Sequence, residues 1–279
     1  MNLLERLDSQ LVLHNRSART RDNYLRCARR LIVWLDEAPA EAATEEDLRR
    51  FLLHLRARGY SVENLKLHVA SLKYLYVKVL ARPAVVATIP WPRVAPPHVD
   101  VLDADEVCAL LAAAPTLLYK TVFMAAYGGG LRVGEVVALQ PADIDSKRHL
   151  LHVRRGKGAK PRRVMLADTL LVTLRHYWRA YRPTGPWLFE SPRDPARHIS
   201  IREVQRRFGQ TVKTAQIRKR CTPHSLRHAF ATHLLEGGTD IATLQVLLGH
   251  RRIATTLRYV HLRTDHIAST PSPLDQLDP

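Results

Sequence analysis

Residues 222–238 read Thr-Pro-His-Ser-Leu-Arg-His-Ala-Phe-Ala-Thr-His-Leu-Leu-Glu-Gly-Gly. Thr222 is a natural N-cap, and Pro223 suits the first helical position, where a missing N–H costs nothing. Gly237 and Gly238 stop what they open, so a helix is predicted over 223–236. His224 and Arg227 stand three apart and share a face in its first turns. That end of the helix dipole favours an anion, and an arginine fork can grip two phosphate oxygens at once. His224 and His228 also have the i, i+4 spacing of a metal-binding pair. No glutamate completes an HExxH pattern, however, and no carboxylates cluster beside them. His228 and His233 read as packing residues.

Working toward the C-terminus, a helix over 240–248 ends at Gly249 and His250 follows. Tyr259 stands nine residues later beside Arg258, on a short helix expected over 253–261. Working toward the N-terminus, helices are expected over 201–215 and 167–181. Before them, Leu151 and Val153 alternate with His152 and Arg154, and Val164 and Leu166 with Arg163 and Met165. This is strand periodicity, with Ile144 on a further short strand. The turn Gly156-Lys157-Gly158-Ala159-Lys160-Pro161 makes it a hairpin with a basic tip. Asp103 and Glu106 open a helix to about 114, and another runs over 118–127. The triple glycine 128–130 breaks that helix, and Arg132 starts its resumption over 131–139.

A proline-rich stretch, with Pro83, Pro90, Pro92, Pro96 and Pro97, cannot continue a helix and marks a linker over 83–98. Before it, Tyr24, Ala28, Leu31 and Leu35 repeat at helix spacing with Ser17 or Thr20 as cap. Thr44 and Asp47 form a capping box for a helix to about 58, stopped by Gly59. Leu65, Val69, Leu72, Leu75 and Val79 mark another. The organisation is therefore a helical domain over 1–82, the linker, a larger domain over 99–265 and a tail over 266–279. The class is mainly α with a small antiparallel β-sheet.

The 279 residues carry 43 Lys and Arg against 26 Asp and Glu, a net charge of +17. Sixteen basic and ten acidic residues lie in 1–98, the remaining 27 and 16 in 99–279. Both parts would therefore feel a polyanion such as nucleic acid, and a single basic tail is excluded. The three cysteines, Cys27, Cys108 and Cys221, form no CxxC pair, which argues against a disulfide framework or a Cys-rich zinc site. No secretory leader and no membrane span are expected, because charges interrupt the N-terminal apolar residues and every later apolar run. A cytoplasmic protein follows.

Jointly, these motifs resemble the tyrosine recombinase (phage integrase) family. Gly-Leu-Arg-Val-Gly-Glu, 130–135, resembles its first arginine box, at Arg132. Gly-Lys-Gly-Ala-Lys, 156–160, is similar to its catalytic lysine turn, at Lys157. His-Ser-Leu-Arg-His, 224–228, resembles the second box, with His224 and Arg227. Leu-Gly-His followed by Thr-Thr-Leu-Arg-Tyr resembles the third, with His250 and Tyr259. The 67 residues from Lys157 to His224 leave little room for the insert of integron integrases, so the two-domain Xer-type and mobile-element members are the better match.

The resemblance implies a core-binding SAM-like domain followed by a catalytic domain, with strand exchange through a 3′-phosphotyrosine on Tyr259. Arg132 and Arg227 would clamp the phosphate, each with a planar fork. Lys157 would protonate the leaving 5′-oxygen, and His250 would donate a hydrogen bond to the phosphate. His224 would be the base or proton shuttle for Tyr259, and Glu135 would orient Arg132 or its neighbours. Arg19, Arg21, Lys66, Lys73, Lys160 and Arg162 are candidate DNA contacts. The implied partners are double-stranded DNA carrying specific sites, and a homo-tetramer passing through a Holliday junction, with or without a second recombinase. No cofactor, metal or ATP is implied. The tail is either a frayed terminus or a segment docking on a neighbouring protomer.

Three rival readings remain open here. A type IB topoisomerase-like enzyme would religate the same strand. A non-catalytic DNA-binding regulator would not need the six catalytic positions, and a metal-dependent nuclease would show clustered carboxylates. Chromosome dimer resolution, integration and transposon resolution are all compatible with these residues.

Because lysines and arginines displace counterions from DNA, affinity is expected to fall about a hundredfold or more between about 50 and 200 mM salt. Fluorescence anisotropy on a duplex oligonucleotide measures this. A flat affinity contradicts the polyanion reading.

Overall fold

The computed structural model describes residues 1–36, 38–93, 100–154, 161–250, 252–257 and 259. It divides into two compact units, Met1–His98 and Val99–Pro279.

Four helices build the first unit, and each begins where a short polar side chain satisfies an otherwise unpaired backbone N–H. They are α1 (Leu3–Leu13), α2 (Ala18–Leu35), α3 (Glu45–Ala57) and α4 (Val62–Tyr74), capped by Asn2, Ser17, Thr44 and Ser61. Thr44 and Asp47 form the expected reciprocal box. Leu7, Leu11, Leu31, Phe51, Leu55 and Leu72 line the faces that pack together. Helix α1 was not among the expected elements, although Leu3, Leu7 and Leu11 have its spacing. The apolar series over 65–79 is two pieces, α4 and a π-helical turn, Leu75–Val79. There the buried Tyr76 hydroxyl donates to the carbonyl of Ala40 at 2.7 Å. Within the proline-rich stretch, α5 (Ala84–Ala87) and Ile89 fold onto this unit, with Val86 and Ile89 buried.

The second unit begins with α6 (Ala104–Ala112), capped reciprocally by Asp103 and Glu106, then α7 (Leu117–Gly128) and α8 (Val133–Val137). An antiparallel sheet follows in the order β1 (Ile144–Asp145), β2 (Leu150–Val153) and β3 (Arg162–Met165). Leu151 pairs with Ile144 on one side and Val164 on the other, so the expected alternation sends Leu151, Val153 and Val164 into the core. Then come α9 (Asp168–Tyr181), a hairpin of β4 (Glu190–Ser191) and β5 (Asp194–His198), and α10 (Ile201–Thr214). That hairpin was not foreseen, because its strands are short and expose their side chains. The unit ends with α11 (Pro223–Glu236), α12 (Ile241–Leu248) and α13 (Ala254–Leu257).

Helix α11 is the central element. Residues Ser225–Thr232 are all buried, so this helix is wrapped on every side rather than lying amphipathically on a surface. Its polar residues therefore depend on partners inside the protein, which Ser225, Arg227 and His228 have, while the Thr232 hydroxyl has none among the described residues. One side faces the main core of Val122, Phe123, Leu131 and Phe208. The other faces a smaller cluster of Phe230, Leu235, Leu244, Leu248 and Tyr259.

The turn after α7 approaches α11 closely. Gly130 has φ +57°, and a Cβ there would lie 2.4 Å from the Phe230 ring. Gly130→Ala is expected to cost about 2–4 kcal/mol, combining left-handed strain with overpacking against a buried ring. Urea denaturation reads this as a lower midpoint, and an unchanged midpoint would refute the close approach.

Candidate active site

Arg227 lies in the second turn of α11 and is only 1% exposed. Its Nη1 donates to the carbonyl of Gly130 and its Nη2 to that of Leu248, both at 2.6 Å. Leu248 is the last residue of α12 and Gly130 lies two residues past α7, where backbone oxygens lack helical partners and the dipole is negative. Nη2 also lies 3.1 Å from His250 Nε2. Arginine has only donors, so Nε2 accepts this bond. The Nδ1–H of His250 then faces Thr256 Oγ1 at 2.9 Å.

Beside Arg227, the Glu135 carboxylate collects two further guanidiniums. Arg162 meets it with two hydrogen bonds, of 2.9 and 2.8 Å. Arg132 Nη1 lies 2.9 Å away, and its backbone N–H donates at 2.9 Å. Arg227 Nη1 is 3.9 Å from the same carboxylate. Burial alone raises the Glu135 pKa, but the hydrogen bonds and charge of Arg162, then those of Arg132, outweigh it and hold the group at about 2. Burial, reinforced by repulsion from Arg132, lowers Arg227 to about 10. Three guanidiniums thus surround one carboxylate, and the excess positive charge suits a phosphate.

Tyr259 is 3% exposed and packs with Phe230, Leu244 and Leu248. Its hydroxyl lies 2.9 Å from Nδ1 of the buried His228. The exposed His224 sets its ring edge-on to that of His228, with centroids 4.6 Å apart. Arg132, Glu135, His224, Arg227, His250 and Tyr259 are therefore brought into one neighbourhood from α8, α11 and the segment after α12.

The remaining expected residues fare differently. Arg162 requires a correction: it does not reach out to DNA but is buried, paired with Glu135 and donating from Nε to the Leu247 carbonyl at 2.8 Å. Arg21 is committed to Asp8 through two hydrogen bonds, of 2.8 and 2.7 Å. Lys73 donates to the Val86 carbonyl at 3.0 Å and lies over the Trp91 ring. Both are used inside their own unit. Arg19 and Lys66 are exposed. Lys157, Lys160 and the tail over 266–279 lie outside the described residues. His228, read from sequence as a packing residue, proves to touch the Tyr259 hydroxyl. Its sequence signals were adjacency to Arg227 and the i, i+4 spacing from His224. Among the described residues, no three His, Cys, Asp or Glu side chains group to hold a metal ion, and no helix is long and apolar enough to cross a membrane.

Two family models match the chain. One, described as "Phage integrase family", spans residues 100–266, and "Phage integrase, N-terminal SAM-like domain" spans 3–84. The chain is 36% identical to the y4qK integrase/recombinase of Sinorhizobium fredii, over 99% of this chain and 89% of that protein. It is 34% identical to tyrosine recombinase XerA of Thermococcus kodakarensis, over 95% and 92%. Among solved structures, a lambda integrase dimer bound to a COC' core site shares the fold with TM-score 0.77, at 22% identity over 94% and 95% of the two chains. A XerA recombinase crystal structure aligns with TM-score 0.57 and 28% identity over 97% and 98%.

Glu135→Gln preserves shape and leaves Arg162 buried without its counter-charge. A loss of about 3–5 kcal/mol is expected at pH 7, read by urea denaturation. The Glu135 carboxyl is held below its ordinary value of 4.5, so its ionised form stabilises the fold fully above that pH. The contribution fades as pH falls toward about 2. The gap between wild type and variant should therefore narrow across that window. A gap constant with pH would contradict it.

Proposed function

The chain belongs to the phage integrase family and is a site-specific tyrosine recombinase, and from that premise we propose that it cuts and rejoins DNA through a 3′-phosphotyrosine on Tyr259, without metal or ATP. The observation that carries this reading is the convergence of Arg132, Arg227, His250 and Tyr259 around α11.

Tyr259 Oη attacks the scissile phosphorus as the bond to the 5′-oxygen breaks. Arg132 and Arg227 neutralise the non-bridging oxygens, a preorganised field in the sense of an oxyanion hole. Lys157 supplies the leaving oxygen's proton. Glu135 keeps Arg132 in place and offsets its repulsion from Arg227. His250, whose Nε2 accepts from Arg227 in this arrangement, becomes a donor to phosphate when DNA binds by shifting its ring proton from Nδ1 to Nε2, with the Thr256 hydroxyl turning to donate to Nδ1. The phosphotyrosine conserves the energy of the broken bond, so a 5′-hydroxyl of a second duplex reverses the step without ATP. These groups supply the nucleophile and the charge neutralisation that a metal would otherwise bring.

The exposed Arg19 and Lys66, with the net charge of +17, support contact with the DNA backbone. A lambda integrase tetramer bound to a Holliday junction shares the fold, with TM-score 0.77 at 22% identity over 92% of this chain and 76% of that one. It supports a four-protomer assembly here.

Covalent trapping tests the proposal. The protein is incubated, with EDTA, with supercoiled plasmids carrying random fragments of host DNA, and then denatured. Wild type is expected to yield a protein–DNA adduct whose sequenced DNA identifies the site, and Tyr259→Phe to yield none. An adduct that survives the mutation, or an adduct that EDTA abolishes, overturns the mechanism.

A further inference from the structure

Resting on that reading of Tyr259 as nucleophile, we propose that His228, rather than His224, takes the tyrosine's proton as it attacks. The argument is geometric. His228 Nδ1 is 2.9 Å from Tyr259 Oη, within direct proton-transfer reach. His228 and Tyr259 are 8% and 3% exposed, so bulk water has little access and the proton must pass to a protein group. The acceptor is also rigidly held. His228 follows Arg227 in α11, and Arg227 is pinned to the ends of two other helices. The His224 ring meets the His228 ring edge-on, with centroids 4.6 Å apart, and is itself exposed.

The step balances. Neutral His228, protonated on Nε2, accepts at Nδ1 as the phenol O–H breaks and the Oη–P bond forms. The P–O5′ bond breaks, and that oxygen takes a proton from Lys157. When a partner strand's 5′-hydroxyl attacks, the imidazolium returns the proton to the departing Tyr259, and Lys157 is reprotonated by the hydroxyl.

The titratable groups around the pair come from several elements. His224 and Arg227 lie on α11, and Tyr259 and His250 on the segment after α12. Tyr127 of α7 packs on the same cluster, its hydroxyl 2.8 Å from His233 Nδ1. Arg132, Glu135 and Arg162 act on Arg227.

The test is the single-turnover rate of adduct formation between about pH 5.5 and 9.5, on the duplex recovered by trapping. Wild type should show a rate that rises and then levels at a breakpoint. His228→Asn, which keeps a hydrogen-bonding group near the Nδ1 position but no base, should be about 100-fold slower or more and rise through the whole range. Its DNA binding, by gel shift, should stay within about threefold. His224→Gln should be slowed but keep the breakpoint. A His228→Asn enzyme with the wild-type breakpoint, or loss of the breakpoint in His224→Gln, overturns the proposal.

Should His228→Asn fold poorly, 2,3-difluorotyrosine at position 259 gives a second measurement in an otherwise unaltered chain. A breakpoint that stays in place despite the more acidic phenol supports an imidazole acceptor, and one that follows the phenol overturns it. Absence of any wild-type adduct would instead refute the nucleophile itself, so the two failures are distinct.

Discussion

Glu135 carries one negative charge among three guanidiniums, two of them buried. At an effective dielectric of about 20, two like charges about 4 Å apart repel by about 4 kcal/mol, which is a large share of a typical domain's stability. The carboxylate meets Arg162 face to face and Arg132 from the side, and stands 3.9 Å from Arg227. The carbonyls of Gly130 and Leu248 take the remaining load from Arg227. The cluster is thus held together with an unneutralised positive excess. In the proposed reaction, that excess is what a phosphodiester would meet.

Helix α11 makes this possible because it is enclosed on all sides. A surface helix would leave Arg227 and His228 in water, where their charges and rotamers would be free. Enclosure forces both to find partners: backbone carbonyls at and just past other helices' ends for Arg227, and the Tyr259 hydroxyl for His228. Arg227 thereby ties α7, α11 and α12 together, and His228 ties the last described residue, Tyr259, to the same helix. Arg162 ties β3 to α12 and α8.

Much of this was legible in the chain. The caps at Ser17, Thr44 and Asp103 open helices where their hydrogen-bonding chemistry predicts. Helix α11 starts at Thr222 without a side-chain cap from it, the Ser225 hydroxyl accepting from the Thr222 N–H instead. The alternation around Leu151 and Val164 builds the sheet. Arg162 shows how a charged residue misleads. Its type suggested a DNA contact, yet it lies two residues before Val164 and so shares that residue's inward face. The strand period held the answer that residue type obscured. Arg21 and Lys73 offered no such signal, since Asp8 and the Val86 carbonyl reach them only through the packing of their unit.

The sequence by itself determined the inventory: which residues can attack, clamp or carry a proton, and which local elements hold them. These follow from capping, periodicity and turn chemistry, all of which act over a few residues. Only the tertiary structure decided who meets whom. Tyr259 and His228 are 31 positions apart, and Glu135 and Arg162 are 27 apart. Contacts of that range come from how helices and strands pack, and local spacing carries no information about the distance between two side chains brought together by a third element.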